Sequence, residues 1–425
     1  MDYWRNDEMN SVTKTVAGVL FAVLVGCSSL LAQGKLDLPQ WRGVDRNGLS
    51  AEKGLLKAWP LNGPALAWEA KDLGIGYSGV SVVKGKIYTM GDVDGKSVVM
   101  ALNEADGSRI WATKVGASGG YGGYEGPRST PAVAENLVYA LNQHGDLLCA
   151  DAVTGKEVWR KSLTADFGGG TPGWGYAESP LIEGDKVLCS PGGTRGAVVA
   201  LNRKTGNVVW QSRELADEVH YSSLIPETIL GQRQVILFTA KSVAGIAVAD
   251  GKMLWRADRP GKTAVVPTPV YADNQVFVTS GYGIGCNSFK ISKAGDVFKA
   301  EQIYANVNMV NHHGGVILLN GNIYGFSDGK GWICQDFKTG GVVWSNPGVG
   351  KGSIAYADGL FYVRSEKGKG TVALIEATPR AYVEKGRFDQ PDRSKKSSWT
   401  HPAIANGRLY IRDQGVLLCY DIKGK

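Results

Sequence analysis

The 425-residue sequence is 43% hydrophobic with a formal net charge of +7, which supplies ample material for a large buried core. This composition excludes an intrinsically disordered chain, and the mild charge does not indicate a dedicated nucleic-acid binder. The 58 glycines are roughly twice the usual share of ~7%, and they follow no Gly-X-Y period, which excludes collagen. Together with many Val, Tyr and Trp residues, they predict short strands joined by tight turns.

An apolar run of eleven residues, 16–26, follows Lys14 near the start of the chain. It is too short to span a bilayer and is typical of the hydrophobic region of a secretory signal. Two kinds of processing remain open: cleavage after Ala32, or a lipobox in which Cys27 is acylated and becomes the first mature residue. We therefore expect residues 1–32 to be a signal peptide. The protein is predicted to be periplasmic or secreted, or an outer-membrane lipoprotein if Cys27 is modified.

The five cysteines after Cys27 include no C-x-x-C motif and no adjacent pair. Their odd number argues against a complete disulfide framework in an exported protein. Three of them, Cys149, Cys334 and Cys419, stand in similar strings that each continue to Asp two residues later. This similarity predicts small buried residues on equivalent strands.

Tryptophans that follow a T-G or D-G turn recur along the chain. Trp111, Trp159, Trp210 and Trp255 are separated by 48, 51 and 45 residues. Before each one, Asp or Asn opens a turn and Gly supplies a position with positive φ, as in the strings DAVTGKEVW and NRKTGNVVW. Two further strand patterns precede the apolar strand before each turn. Four short strands in each repeat are typical of one propeller blade.

Eight repeats can be counted, and the last is truncated. They begin near Tyr77, Tyr124, Gly175, His220, Val265, His312, Ser353 and Trp399. The eighth repeat lacks its turn-and-Trp strand, but the segment 65–69 at the other end of the chain has that pattern. We therefore predict an all-β fold, an eight-bladed β-propeller over residues 65–425 that is closed by an N-terminal strand and preceded by an extended arm, residues 33–64. Blade 5 has no Trp, and in blade 7 Tyr382 lies near the Trp place.

The repeat resembles the tryptophan-docking repeat of the pyrroloquinoline-quinone (PQQ)-like propeller family. The match is complete in the segment 200–210, which contains Thr205, Gly206 and Trp210, and the resemblance covers residues 65–425. The string Gln40-Trp41-Arg42-Gly43 is similar to the start of PQQ-like repeat proteins of bacterial envelopes. That family includes quinoprotein dehydrogenases and the outer-membrane assembly lipoprotein of the β-barrel assembly machinery.

The resemblance has two functional implications. A quinoprotein dehydrogenase would bring PQQ, a calcium site, a catalytic Asp and a vicinal disulfide, but the sequence has no adjacent cysteine pair and no motif that places the other groups. The regular repeat without inserted catalytic apparatus favours a monomeric, non-catalytic scaffold for an envelope protein, a peptide or another envelope component. The alternative is a PQQ- and calcium-dependent alcohol or sugar dehydrogenase.

Polar and aromatic residues stand in the loops that lead into the blades. Because the first strand of each blade is nearest the channel, such residues can converge although they are far apart in sequence, and they predict a mouth that binds a small polar ligand with a flat part. The predicted ligand-binding residues are Arg128, Trp174, Glu178, His220, His312, His313, Lys351, Trp399 and His401. The alternative is that these side chains only hydrogen-bond loops between blades. No metal site is expected, since adjacent histidines on a strand point to opposite faces.

Overall fold

The computed structural model describes residues 37–424, and these form thirty-five strands. No helix of this part of the chain is long and apolar enough to cross a membrane. The predicted signal peptide and the predicted lipidation site at Cys27 lie outside the described residues.

The first two strands, β1 (Leu49–Ser50) and β2 (Ala65–Ala70), pair with blades at the end of the chain. Blade 1 contains β3 (Ser81–Val83), β4 (Lys86–Val93), β5 (Lys96–Asn103) and β6 (Arg109–Ala117). A hairpin of β7 (Gly120–Tyr121) and β8 (Tyr124–Glu125) follows. Blade 2 contains β9 (Ala132–Ala134), β10 (Leu137–Leu141), β11 (Asp146–Asp151) and β12 (Glu157–Ser162). Blade 3 contains β13 (Leu181–Glu183), β14 (Lys186–Cys189), β15 (Val199–Asn202) and β16 (Val208–Gln211).

The next three blades repeat the same order. Blade 4 contains β17 (Ile225–Ile229), β18 (Gln232–Phe238), β19 (Ser242–Ala247) and β20 (Met253–Asp258). Blade 5 contains β21 (Val270–Ala272), β22 (Gln275–Ser280), β23 (Gly285–Ala294) and β24 (Val297–Asn306). Blade 6 contains β25 (Val316–Leu319), β26 (Asn322–Ser327), β27 (Gly331–Asp336) and β28 (Val342–Asn346).

The last two blades each include a strand from the N-terminal part. Blade 7 contains β29 (Gly352–Ala357), β30 (Leu360–Ser365), β31 (Val372–Glu376) and β32 (Glu384–Phe388), and β1 adds to it in parallel. Blade 8 contains β33 (Ala403–Ala405), β34 (Arg408–Asp413) and β35 (Val416–Asp421), with β2 as its outer strand. In the β2–β35 pair Trp68 lies opposite Cys419. The predicted eight-bladed propeller and its closure by an N-terminal strand are confirmed.

At five of the eight junctions an aromatic ring, a tryptophan in four of them, packs on a glycine of the next blade. The Trp159 indole donates from Nε1 to the Arg203 carbonyl at 3.0 Å and lies against Gly206. Gly206 has φ +72°, and an added Cβ would lie 2.8 Å from the ring. Trp210 makes the same contact with the Val248 carbonyl at 3.0 Å. The glycine of the repeat is therefore needed both for its backbone conformation and for close approach of the ring.

The buried cysteines lie on strands that face these rings. Cys149, Cys334 and Cys419 stand opposite Trp159, Trp344 and Trp68 in their strand pairs, and all three thiols are free and buried. The prediction of small buried residues on equivalent strands is confirmed. Such a position takes a small side chain because the interblade space is filled by the indole.

Blades 5 and 7 replace the docking tryptophan differently. In blade 5, Tyr304 occupies the place and donates from its hydroxyl to the Phe337 carbonyl at 2.9 Å. In blade 7 the strand register puts Gly386, not Tyr382, opposite Leu374 at the Trp place, so the expectation for Tyr382 is wrong. Tyr382 instead lies before β32 and packs on Trp344, with ring centroids 6.0 Å apart.

The space above Gly386 is filled by Trp59 of the N-terminal arm. An added Cβ on Gly386 would lie 2.8 Å from the Trp59 Cβ, and the Trp59 amide donates to the Lys385 carbonyl at 2.8 Å. The Trp59 indole is 7% exposed and packs on Tyr362 and Phe388 at centroid distances of 5.8 and 5.4 Å. Blade 7 thus receives its interblade ring from a distant part of the chain.

Before Trp59, the arm crosses the central channel on the inner strands of the blades. Leu38 forms a bridge with Val82 of blade 1, and the Val133 amide of blade 2 donates to the Pro39 carbonyl at 2.8 Å. Further along the arm, Leu49 pairs with Tyr356 of blade 7. The arm therefore ties blades that are not neighbours together through the channel.

Two arginines of the arm fix this crossing. Arg46 is fully buried and donates to the Ser179 and Leu224 carbonyls, both at 2.8 Å, in the loops before blades 3 and 4. Arg42 donates from Nη2 to the Val316 carbonyl of blade 6 at 2.5 Å. These carbonyls belong to blades 3, 4 and 6, whose strands do not pair with the arm. The two guanidinium groups therefore attach the arm to these blades as well.

Truncation of Trp59 should destabilise the fold. A Trp59→Ala change removes a buried ring at a position where Gly386 has no side chain to compensate, so we expect a loss of about 3–5 kcal/mol in the free energy of unfolding. Urea titration followed by circular dichroism measures it. Leu61→Ala is the matched control, because Leu61 is 94% exposed in the same arm. Equal unfolding midpoints for the two variants would show that Trp59 does not support blade 7.

Candidate functional site

A blind cavity of about 220 Å³ lies at the mouth of the channel. Its walls are the loops that lead into the blades, because each inner strand starts at this end of the channel. Its floor includes Trp41 and Arg42 of the N-terminal arm. Trp41 is held by a hydrogen bond from its Nε1 to the Thr268 hydroxyl at 3.2 Å. The arm therefore turns the open channel of a propeller into a closed-ended site.

Six of the nine predicted ligand-binding residues line this cavity. They are Arg128, Trp174, His312, His313, Trp399 and His401. They come from the loops before blades 2, 3, 6 and 8. The other three predicted residues, Glu178, His220 and Lys351, are not part of its lining.

Each of the three other residues has a partner elsewhere. Glu178 is buried and accepts a hydrogen bond from the Ser190 amide, and burial raises the pKa of its carboxyl to about 7. The Nδ1 of His220 accepts from the Val265 amide at 3.2 Å, so this imidazole tethers a loop. The ammonium of Lys351 lies 2.8 Å from the Asp328 carboxylate. For these residues the structure corresponds to the loop-bonding alternative.

Seven aromatic side chains shape the cavity. They are Trp41, Tyr77, Tyr124, Trp174, Tyr221, Tyr282 and Trp399. On one wall, Trp399 packs between Tyr77 and Tyr124 at centroid distances of 4.8 Å each, with interplanar angles of 33° and 38°. On the other, the Trp174 and Tyr221 rings lie 6.0 Å apart. These rings offer flat apolar faces to a ligand.

Two arginines in the lining have buried N–H groups without partners. Arg128 donates from Nη2 to the Tyr124 carbonyl at 2.5 Å, and its guanidinium carbon lies 5.9 Å from the Tyr77 ring centroid. Its Nη1 is buried without a hydrogen bond, as are Nη1 and Nε of Arg42. Burial lowers the pKa of both guanidinium groups, that of Arg42 to about 10. Both remain cationic at neutral pH.

The histidines beside these arginines, His313 and His401, are kept neutral by burial. The His401 Nε2 donates to the His313 carbonyl at 3.0 Å, and burial lowers the pKa of His401 to about 4. Burial also lowers the pKa of His313 well below its usual value. Both His313 ring nitrogens are buried without a hydrogen bond, and its Nε2 lies 3.8 Å from a Glu366 oxygen. The other Glu366 oxygen accepts from the Trp399 indole at 3.1 Å.

The donor set does not fit a calcium-bound PQQ. The lining contains no Asp, Glu, Asn, Gln or Cys side chain, so it lacks the carboxylate and amide oxygens that hold calcium. Across residues 37–424, no three His, Cys, Asp or Glu side chains are placed to hold a metal ion. The arginines and rings instead suit an anionic group attached to a flat body.

Sequence reasoning missed Trp41, Arg42, Tyr77, Tyr124 and Tyr282 as lining residues. Tyr77 and Tyr124 stand at the starts of repeats, and this position could have indicated that they line the cavity. Trp41 and Arg42 stand in the string that resembles envelope propellers, but nothing in the repeat indicates that the arm enters the channel.

The comparisons with known proteins identify the family of the fold. The family profile described as outer membrane protein assembly factor BamB matches residues 95–346. The tetrathionate hydrolase of Acidithiobacillus ferrooxidans is 26% identical over 239 residues, 54% of this chain and 40% of that protein. BamB of Escherichia coli is 31% identical over 115 residues, 26% of this chain and 27% of that protein. The chain thus spans less than half the length of these two relatives.

Solved structures agree on the fold. BamB from Moraxella catarrhalis has a TM-score of 0.57 at 16% identity, covering 84% of this chain and all of its own. A quinohemoprotein alcohol dehydrogenase from Comamonas testosteroni has a TM-score of 0.64 at 14% identity, covering 92% and 81%. At these identities the likeness concerns the fold alone. Because the profile matches more than half of the sequence, the chain belongs to the PQQ-like β-propeller family described as outer membrane protein assembly factor BamB.

Proposed function

We propose that this protein is a non-catalytic binding module of the cell envelope whose ligand places one flat, anionic group in the channel-mouth cavity. The observation that carries the proposal is the set of unpaired buried N–H groups on Arg42 and Arg128, in a lining without a carboxylate. A buried donor without a partner costs about 1–3 kcal/mol, more when it is charged, and an anionic ligand would remove that cost.

The size of the cavity limits what enters it. Sites for drug-sized ligands have volumes of about 300–1,000 Å³, whereas this cavity has about 220 Å³. It therefore admits a ring-sized group, and the rest of a larger ligand or partner would lie over the rim. Tyr124 and Tyr282 are 38% and 39% exposed there and offer a first contact surface.

The relatives support an envelope role and an anionic ligand. Membership in a family named for outer-membrane protein assembly favours a protein or another envelope component as the partner. A signal peptide over residues 1–32, with or without a lipid on Cys27, would deliver a monomeric protein to the periplasm or the outer membrane. The tetrathionate hydrolase relative is named for an anionic substrate, which agrees with an arginine-lined mouth.

Removal of either lining guanidinium should weaken anion binding. We expect Arg128→Gln and Arg42→Gln each to lower the affinity for benzoate, a ring with one carboxylate, by about 10- to 100-fold. Quenching of tryptophan fluorescence reports binding, because Trp41, Trp174 and Trp399 line the cavity.

The experiment has two controls, one a variant of the protein and the other an uncharged ligand. Arg109→Gln makes the same change on the exposed outer strand of blade 1 and should bind benzoate as the unmodified protein does. Benzamide, which has the same ring without the charge, should bind the unmodified protein more weakly than benzoate. Benzoate affinities that are equal in all four proteins would contradict the proposal.

Anion affinity should be nearly independent of pH. Unperturbed histidines with a pKa of about 6.5 would gain positive charge on acidification and strengthen anion binding. Burial lowers the pKa of His312 and His313, and that of His401 to about 4, so these imidazoles gain less positive charge on acidification than unperturbed histidines do. We expect the benzoate affinity to gain much less than tenfold between about pH 8 and pH 5.5. A tenfold gain at the acidic end of the same titration would show that these imidazoles titrate normally.

Reconstitution with PQQ and Ca²⁺ tests the dehydrogenase alternative. Without oxygen ligands in the lining, addition of calcium should not increase PQQ binding, and a dye-linked assay with alcohols and sugars should show no turnover. Calcium-dependent stoichiometric binding together with dye reduction would overturn the non-catalytic assignment. The quinone absorbance measures PQQ binding, and the colour of the dye measures dye reduction.

A further inference from the structure

A basic cleft of about 690 Å³ is formed in part by the loop that continues into Trp399 of the cavity wall. It lies between the turn that joins β30 to β31, residues 366–371, and the loop 389–398 that leads toward blade 8. Its lining includes Lys367, Lys369, Arg393, Lys395 and Lys396 against a single acid, Asp389.

Most of the positive charge in the basic cleft is uncompensated. Lys369 pairs with Asp389 at 3.0 Å, and Arg393 pairs with Asp413 at 3.3 Å. Lys367, Lys395 and Lys396 are exposed, and none of them forms an ion pair within the described residues. The cleft therefore presents three free ammonium groups to the solvent, which attract a ligand that carries several negative charges.

Glu366 connects the basic cleft to the cavity wall. Its backbone carbonyl accepts hydrogen bonds from Arg393 Nη2 and from the Ser398 amide, both at 2.9 Å. Its side chain accepts from the indole of Trp399, the central ring of the wall that Tyr77 and Tyr124 complete. The two loops of the cleft and the aromatic wall of the cavity are thus connected through Glu366.

We infer that the ligand is an anionic polysaccharide: its terminal sugar occupies the cavity and the following acidic units lie along the basic cleft. This inference rests on the proposed function of the cavity. A sugar ring has flat faces of C–H groups that pack on Tyr and Trp rings, and its carboxylate or sulfate group matches a guanidinium. Only one ring fits in about 220 Å³, so recognition of a chain requires a continuing surface of the right charge. The basic cleft is such a surface.

An acidic peptide satisfies fewer of these features. Its carboxylates sit on flexible side chains, and it has no rigid ring to fill the space between the two aromatic walls. Binding it would therefore use the lysines while leaving the cavity and the unpaired donors of Arg42 and Arg128 without a partner. Poly-L-glutamate represents this competing ligand class.

The experiment compares galacturonate with tetragalacturonate by tryptophan fluorescence on the full-length protein. At about 50 mM salt, tetragalacturonate should bind about tenfold more tightly than galacturonate, and about 0.5 M salt should abolish most of that advantage, since exposed charges are screened. A chondroitin sulfate tetrasaccharide distinguishes sulfate from carboxylate as the preferred anionic group. Maltotetraose, which is neutral, should bind at least about tenfold more weakly than tetragalacturonate.

Two double variants assign the effect to the basic cleft. Lys395→Gln with Lys396→Gln should reduce the affinity ratio of tetragalacturonate to galacturonate severalfold. Lys252→Gln with Lys299→Gln makes the same change in charge on exposed positions of blades 4 and 5 and should retain the ratio. A ratio that falls equally in both double variants would overturn the inference, because the effect would then be one of net charge.

The outcomes separate this inference from the proposed function. If benzoate binds with dependence on Arg128 but neither anionic tetrasaccharide binds more tightly than galacturonate, the polysaccharide inference is wrong and the cavity assignment stands. If poly-L-glutamate binds more tightly than both tetrasaccharides, the partner is an acidic peptide and the inference is wrong. If benzoate does not bind at all, the cavity assignment itself fails.

Discussion

Most junctions in the ring of blades depend on one contact, in which an aromatic side chain of one blade lies on a glycine of the next. Trp159 on Gly206 shows why the pair is specific: the indole needs the missing Cβ, and its N–H needs a carbonyl in the same turn. Each blade is too small to bury both of its faces alone, so its stability comes from its neighbours. The repeated contact sets the spacing between blades and leaves a central channel whose mouth is lined by the loops before the inner strands.

The N-terminal arm converts this general ring into a particular site. It closes the channel, adds Trp41 and Arg42 to the floor, and supplies Trp59 where blade 7 has Gly386. The positive charge of Arg42 is not balanced by a carboxylate, because the hydrogen-bond acceptors of Arg42 are backbone carbonyls. A cationic group with unpaired donors at the end of a closed cavity is costly to maintain. Under the proposed function an anionic ligand offsets that cost, and the arm then serves recognition as well as folding.

Most of the fold follows from local sequence signals, whereas the site follows from them only in part. The T-G and D-G turns with their tryptophans define the blades, and the truncated eighth repeat with the segment 65–69 predicts closure. Trp59 fills the place that a docking ring of blade 7 would occupy. No local sequence pattern indicates this, since Gly386 and Trp59 are distant in sequence. Likewise, the position of a residue before a blade does not determine where its side chain points. His401 faces the cavity, while Lys351 turns to Asp328 because the loop path brings that carboxylate within reach.

The pairing of β2 with β35 joins residues about 350 positions apart, and this has a consequence for the kinetics of folding. Blades 1 to 6 consist of hairpins whose strands are close in sequence, so each can form early and locally. Blade 8 has to wait until the last strand of the chain is available, and its closure bears the entropy of the longest loop in the protein. Folding intermediates would therefore expose the edge of β35 and the unfilled channel. Any factor that shields those surfaces during folding would raise the yield without changing the final stability.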